Sequence, residues 1–118
     1  MTMTYYQEIK DDRDEWRQRF CHGRPCMVCT VCSNTGTLDC HEIIRKSAAP
    51  RQWGHRSNYL AVCRRCHDNV ITCMSLSQQL AYKLLRDPDH FSLSDISRIA
   101  GREISLRDVV ARLEFILL

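Results

Sequence analysis

The chain has 118 residues, a net charge of +3 and eight cysteines. This length predicts a single domain, and no apolar run approaches the roughly 20 residues that a membrane-spanning helix needs. The first twenty residues are charged and lack the apolar stretch of a secretory signal, so we expect a cytoplasmic protein with no membrane partner. Because thiols stay reduced in the cytosol, eight cysteines indicate metal binding and not disulfide bonds.

The positive charge is concentrated in one part of the chain. Between residues 41 and 67 there are six basic residues and one acidic residue, a charge of +5 that leaves −2 for the remainder. Fourteen of the seventeen cationic residues are arginine, which can bind phosphate through two parallel hydrogen bonds. Nucleic acid is therefore a candidate partner, although solvated surface arginines would give the same count. The six basic residues are Arg45, Lys46, Arg51, Arg56, Arg64 and Arg65.

The first two thirds of the chain predict a helix, two short strands and a second helix. Apolar residues recur at helical spacing over 5–20, and the segment up to the cysteines is broken by glycine and proline. Strands are predicted over 38–44 and 58–62, joined by a polar, irregular connection. A helix should then run from His67 to about residue 73.

The last third is predicted to be helical. The segment 75–86 places its leucines on one side, which predicts an amphipathic helix. Ser92 or Ser94 should cap a shorter helix that runs through Ala100, and Ser105 should begin a third helix. The chain should therefore have an α+β fold.

The element pattern divides the chain into two regions. Residues 1–74 form the predicted principal domain, with its core at 26–74, and 75–118 form a helical extension packed on that core. The hydrophobic tail at 115–118 has two interpretations. It either provides a surface for a dimer or another protein partner, or it packs within the monomer.

Cysteine spacing predicts a metal site with four thiolate ligands. Two Cys-x-x-Cys pairs overlap at the first position, because Cys26 and Cys32 each lie three residues from Cys29. We predict Cys29 and Cys32, since polar turn residues follow Cys32 and lead into the first strand. With Cys63 and Cys66 they would bind a structural zinc ion tetrahedrally. Cys26 would then be a spare thiol, a small packing residue or an alternative ligand.

The spacing from Cys29 to residue 68 resembles the HNH (His-Me finger) endonuclease family, in the zinc-binding subgroup frequent in phages and mobile elements. The matching residues are His41-Glu42-Ile43-Ile44 and Asn58-Tyr59-Leu60-Ala61-Val62-Cys63-Arg64-Arg65-Cys66-His67. The resemblance implies a ββα-metal finger, with localisation in the host cytoplasm if the protein is viral. It also implies that His41 and His67 bind a catalytic Mg²⁺, Mn²⁺ or other divalent ion, and that Asn58 fixes the loop or contributes to this site.

The residue that would act as general base is left open by the sequence. Where the family usually has a second histidine, this chain has Glu42, and a carboxylate can accept a proton or bind the metal. In a shifted alignment, Cys40 takes the ligand position and His41 becomes the base. A third interpretation is an inactive site.

Two functions follow from these patterns. The first is a metal-dependent endonuclease that hydrolyses DNA with low intrinsic specificity, by nicking or double-strand cleavage, with RNA not excluded. The six basic residues between 41 and 67 are its candidate phosphate contacts. The second is a non-catalytic zinc module that binds nucleic acid or protein. The two functions differ in their use of His41 and His67, because a purely structural module needs neither histidine.

Overall fold

The computed structural model describes residues 5–30, 37–45 and 55–118, and within these residues the chain has the predicted α+β architecture. Two short strands form an antiparallel sheet, and helices precede and follow it. The strands are β1 (Asp39–Glu42) and β2 (Tyr59–Val62). The α-helices are α1 (Tyr5–Phe20), α2 (Leu76–Arg86), α3 (Leu93–Ala100) and α4 (Leu106–Leu117). Short turns of 3₁₀-helix cover Arg56–Asn58, Ile71–Cys73 and Pro88–His90, and a π-helical turn covers Cys66–Val70.

The sheet separates two environments. Asp39 pairs with Val62 and Glu42 pairs with Tyr59, and every residue of β2 is buried. Because successive side chains of a strand point to opposite faces, Asp39 and His41 share one face of β1, and the residues between and after them share the other. Asp39 and His41 therefore lie on one face of the sheet, and Cys40 and Glu42 lie on the other.

Helix α1 covers one face of this sheet. The ring of Trp16 stacks on Phe20 with centroids 4.7 Å apart and on Tyr59 with centroids 5.8 Å apart. The Arg17 guanidinium lies over the Tyr59 ring at 5.1 Å. The other face of β1 therefore remains for the residues that follow β2.

The segment after the second cysteine pair differs from the predicted regular helix. It begins with a π-helical turn, in which the Ile71 amide donates to the Cys66 carbonyl, and continues as 3₁₀-helix. Cys66 and Ile71 are both buried, and a five-residue turn directs both toward the core. The β-branched residues Val70, Ile71 and Thr72 also weaken the preference for a regular α-helix.

Serine caps fix the starts of the later helices. Ser75 and Gln78 form a reciprocal capping box at α2, and the Ser105 hydroxyl accepts a hydrogen bond from the Asp108 amide at α4. Of the two candidates for α3, Ser92 is the cap. Gly101 ends α3 with φ of +71°, a conformation in which glycine avoids the strain of a side chain.

A buried lysine joins α2 to the sheet. Lys83 Nζ, which is fully buried, donates to the carbonyls of Tyr59 at 2.8 Å and Arg56 at 3.0 Å, and to Asp87 Oδ2 at 2.7 Å. Asp87 Oδ1 lies 2.8 Å from His90 Nδ1. Burial alone would raise the pKa of Asp87, but the hydrogen bonds and charges of Lys83 and His90 outweigh it and hold this pKa below its usual range. All three donors of the ammonium group are therefore satisfied.

Candidate functional site

Four thiols converge at one end of the sheet. The sulfur atoms of Cys26, Cys29, Cys63 and Cys66 all lie within 4.8 Å of one another, and those of Cys29 and Cys63 are 4.0 Å apart. A tetrahedral ion with bonds of about 2.3 Å separates its sulfur ligands by roughly 3.8 Å, so these four residues could bind a metal such as zinc. Two backbone amides already point at the cluster, from Cys63 to the Cys26 sulfur and from Cys66 to the Cys63 sulfur.

The first pair of this cluster is Cys26 and Cys29, where the sequence predicted Cys29 and Cys32. Cys32 lies outside the described residues. Cys26 reaches the second pair because the Met27 amide donates to the Ala61 carbonyl at 2.9 Å, which places this turn beside the end of β2. The prediction of Cys32 assumed that the metal-binding pair leads directly into β1. Instead, the Leu38 amide donates to the Cys21 carbonyl, so the residues before the pair hold the start of that strand.

His41 and His67, predicted from the sequence as partners, do come together. Their ring centroids are 5.3 Å apart in an edge-to-face arrangement, with His41 on β1 and His67 on the π-helical turn. The Asp39 carboxylate, on the same face of β1 as His41, lies 3.1 Å from His67 Nδ1. It also pairs with Arg64 at 3.3 Å. Asp39 was not among the site residues predicted from the sequence, although its i, i+2 spacing from His41 on a strand was the available signal.

Gln79 of α2 determines which ring nitrogen of neutral His41 carries the proton. His41 Nε2 and Gln79 Oε1 are 2.8 Å apart, and the Gln79 amide nitrogen donates to the Met74 carbonyl at 3.4 Å. With its oxygen facing the ring, Gln79 accepts from Nε2, which leaves the lone pair of neutral His41 on Nδ1. Burial is the largest influence on His41 and lowers its pKa, and the charges of His67 and Arg45 act in the same direction. His41 therefore favours the neutral form that a base or a metal ligand requires.

Asn58 fixes the loop that leaves β1. Its side-chain oxygen accepts from the Ile44 amide at 2.7 Å, and its side-chain nitrogen donates to the Ile44 carbonyl at 3.0 Å. Its own carbonyl accepts from the Ile43 amide at 2.8 Å. Asn58 is fully buried, and these bonds match the loop-fixing role, the first of the two that the sequence left open.

The structure does not bring Glu42 to the two histidines. Strand alternation puts Glu42 on the α1 face of the sheet, where its carboxylate lies 3.9 Å from the Arg17 guanidinium. Cys40, the ligand of the shifted alignment, shares that face, and Arg17 Nε donates to its sulfur at 3.5 Å. A hydrogen bond from Cys21, together with Arg17, lowers the pKa of Cys40 to about 7 against the effect of burial.

The predicted phosphate contacts are only partly described. Arg45, Arg56, Arg64 and Arg65 are exposed, whereas Lys46 and Arg51 lie outside the described residues. Arg64 and Arg65 directly precede the turn that carries His67. Arg56 lies over the Trp16 ring at 5.1 Å.

No protein-family model, curated protein or solved structure matches the chain. Among the described helices, none is long and apolar enough to cross a membrane.

Proposed function

We propose that the protein is a metal-dependent endonuclease of the HNH type that hydrolyses phosphodiester bonds of DNA. The observation that carries the proposal is the convergence of Asp39, His41 and His67, which come from a strand and a following helical turn and meet at one face of the sheet. A structural zinc ion at Cys26, Cys29, Cys63 and Cys66 would hold that strand and that turn together.

Asp39 and His67 have the spacing that a divalent ion requires. Adjacent ligands of an octahedral ion with bonds of roughly 2.0–2.1 Å lie about 3.0 Å apart. Asp39 Oδ2 and His67 Nδ1 are 3.1 Å apart, and a carboxylate with an imidazole suits Mg²⁺, Mn²⁺ or a softer ion. When bound, such an ion neutralises charge that develops on the phosphate and the leaving oxygen.

His41 is the residue best placed to act as general base. Its Nδ1 carries the lone pair, because Gln79 holds the proton on Nε2. The lowered pKa keeps the ring neutral at physiological pH, so Nδ1 can accept a proton from an attacking water. Among the described residues, this geometry favours His41 over Glu42, whose carboxylate lies across the sheet.

Arg64 and Arg65 supply positive charge beside this face. Arg64 pairs with Asp39 and Asp68, but its side chain is 74% exposed, and ion pairs at the surface contribute roughly 0–1 kcal/mol. Exchange of the Asp39 contact for a DNA phosphate therefore costs little. Such contacts position the backbone of DNA without reading its sequence, in keeping with low intrinsic specificity.

Cleavage of supercoiled plasmid tests the proposal. Zinc-loaded protein is assayed with Mg²⁺, Mn²⁺, Ni²⁺ or EDTA, and Asp39→Asn, His41→Ala and His67→Ala are compared with wild type after zinc content and folding are checked. We expect metal-dependent cleavage that each substitution reduces by about 10²-fold or more, since a positioned base or ligand contributes on this scale.

Glu42→Gln is the matched control, because it alters the neighbouring side chain on the opposite face of β1. We expect it to retain cleavage within a few-fold of wild type. Loss of activity in Glu42→Gln with retention in His41→Ala would reverse the assignment of the base. If folded, zinc-loaded wild type cuts with none of the metals, the nuclease proposal fails.

One observation favours the second candidate, a non-catalytic zinc module. The Arg64 guanidinium lies 3.3 Å from Asp39, where it supplies positive charge that a metal would otherwise bring. For such a module we expect DNA or protein binding that is unchanged by His67→Ala, with no cleavage.

A further inference from the structure

Helix α4 leaves an apolar row uncovered along one side. Leu106, Val110 and Leu117 are 51%, 37% and 65% exposed, whereas Val109 on the adjacent side is fully buried. Leu113, which is partly buried, lies between them in the same row. Single exposed apolar residues are normal on a protein surface, but three on one side of a helix, with the half-buried Leu113 between them, mark a contact surface.

The spacing of this row is that of a helix-pairing seam. Residues 106, 110, 113 and 117 are separated by four, three and four positions, the heptad pattern with which one helix packs against another. The chain itself uses the adjacent row, Val109 and Ile116, and the buried part of Leu113 for its core. The uncovered row is therefore available to a second helix.

Charged residues beside the row favour a second copy of α4 as the partner and an antiparallel orientation of the two helices. Arg107 and Glu114 are exposed on the same flank, and among the described residues neither forms an ion pair within the chain. In an antiparallel pair of α4 helices, Leu106 meets Leu117 of the second copy and Val110 meets Leu113. Arg107 of each copy then lies beside Glu114 of the other, twice by symmetry. A parallel pair offers no such match, because the opposite flank consists of Val109 and Ile116.

We propose that a second copy of this chain covers the row, and that the protein forms a homodimer through antiparallel α4 helices. The contact is that of one twelve-residue helix per copy, well below a standard interface, so dimerisation should depend on concentration in roughly the micromolar range or weaker. This interface is separate from the histidine face of the sheet and does not depend on the proposed nuclease activity.

Charge reversal tests the pairing. Sedimentation of the zinc-loaded full chain over a concentration series gives the dimer dissociation constant for wild type, Arg107→Glu, Glu114→Arg and the double variant. Each single reversal turns two attractive pairs into repulsive ones, so we expect dimerisation to weaken roughly tenfold. The double variant should dimerise like wild type, and an equal mixture of the two single variants should form the heterodimer.

Phe115→Ser is the matched control. Phe115 is 75% exposed but lies on the far side of the helix from the row. Its replacement therefore removes exposed apolar surface from α4 without changing the row. We expect its dissociation constant to equal that of wild type, with folding of every variant checked by circular dichroism. A monomer at every concentration overturns the proposal, as does a dimer that tolerates both single reversals or dissociates with Phe115→Ser.

Discussion

At the scale of single residues, spacing alone does not decide whether Cys26 or Cys32 pairs with Cys29. Both lie three positions from Cys29, so the sequence offers two equivalent Cys-x-x-Cys pairs. The choice depends on which turn lies beside β2, and that is fixed by the hydrogen bond from the Met27 amide to the Ala61 carbonyl. A contact between residues 34 positions apart leaves no local pattern in the sequence.

Serine substitutions separate the two cysteines. We expect Cys26→Ser to reduce bound zinc well below one ion per chain, because it removes one of four clustered thiols. Cys32→Ser should keep one ion per chain, as should Cys73→Ser, which removes an exposed thiol outside the cluster. The measurement is the zinc-to-protein ratio of purified variants. Zinc retained in Cys26→Ser and lost in Cys32→Ser would support the pairing predicted from the sequence.

His41 and His67 were predicted from the sequence, whereas Gln79 and Asp39, which contact them, were not. The resemblance carried only the residues that the family pattern names. Asp39 lies beside His67 because it shares a face of β1 with His41. Gln79 contacts His41 because α2 packs on this face, and no short motif encodes that packing. Glu42 was placed with His41 because the two are adjacent in sequence, but adjacency on a strand directs side chains apart.

The protonation of His41 gives a pH-dependent prediction. Because burial lowers its pKa, we expect His41 to titrate below the ordinary value of 6.5 in the zinc-loaded chain without a second divalent ion. The unfolded chain binds this proton more readily, so the contribution of His41 to stability is lost as pH falls below about 6.5. NMR titration of the ring measures the midpoint. Gln79→Leu should lower the midpoint further, since the hydrogen bond to Gln79 raises it, and a midpoint at or above 6.5 would contradict the burial argument.

At the scale of elements, helices were predictable where their ends carry local signals. Ser75, Ser92 and Ser105 each accept a hydrogen bond from the amide three residues later, and the helices begin where these serines predict. The π-helical turn at Cys66–Val70 was not predictable, because it results from burying Cys66 and Ile71 together. Short-range sequence patterns therefore predicted where these helices begin, whereas the irregular turn depends on tertiary contacts.

Lys83 connects α2 to the sheet, but nothing in the sequence distinguishes it from a lysine exposed to solvent. We expect Lys83→Met to destabilise the protein by about 3 kcal/mol or more, because it leaves Asp87 Oδ2 and two main-chain carbonyls without the buried donor that they share. Urea denaturation of the zinc-loaded chain measures the loss. Arg86→Met, on an exposed side chain of the same helix, should change stability by no more than about 0.5 kcal/mol. Equal losses in the two variants would show that the buried ammonium does not join α2 to β2.

At the scale of the whole molecule, the thiol cluster and the sheet share one core. Cys26 and Cys66 belong to the same buried cluster as Leu60 of β2 and Leu80 of α2. The element pattern correctly predicted an α+β chain, and the four clustered thiols could bind a metal, as the cysteine spacing predicted. The way in which the thiol cluster joins the N-terminal turn to the helices could be read only from the packed structure.

Removal of the metal should therefore affect the entire fold. A structural zinc ion contributes on the order of 10 kcal/mol of apparent folding free energy, comparable to the total stability of a small domain. We expect a strong chelator to abolish the near-ultraviolet circular dichroism of Trp16 and Tyr59, which pack against each other. Added zinc should restore the signal, but magnesium should not. A chelated chain that melts at the same temperature as the loaded chain would exclude a structural role for the cluster.

The position of His67 directly after Cys66 links the histidine face to the thiol cluster. The turn that carries His67 begins at a cysteine of that cluster, and the Cys26 turn lies against β2, which pairs with the strand that carries Asp39 and His41. If the cluster binds zinc, a newly made chain without zinc would lack a bond between these turns. The supply of zinc would then act as a maturation step for the face that carries the carboxylate and the two imidazoles.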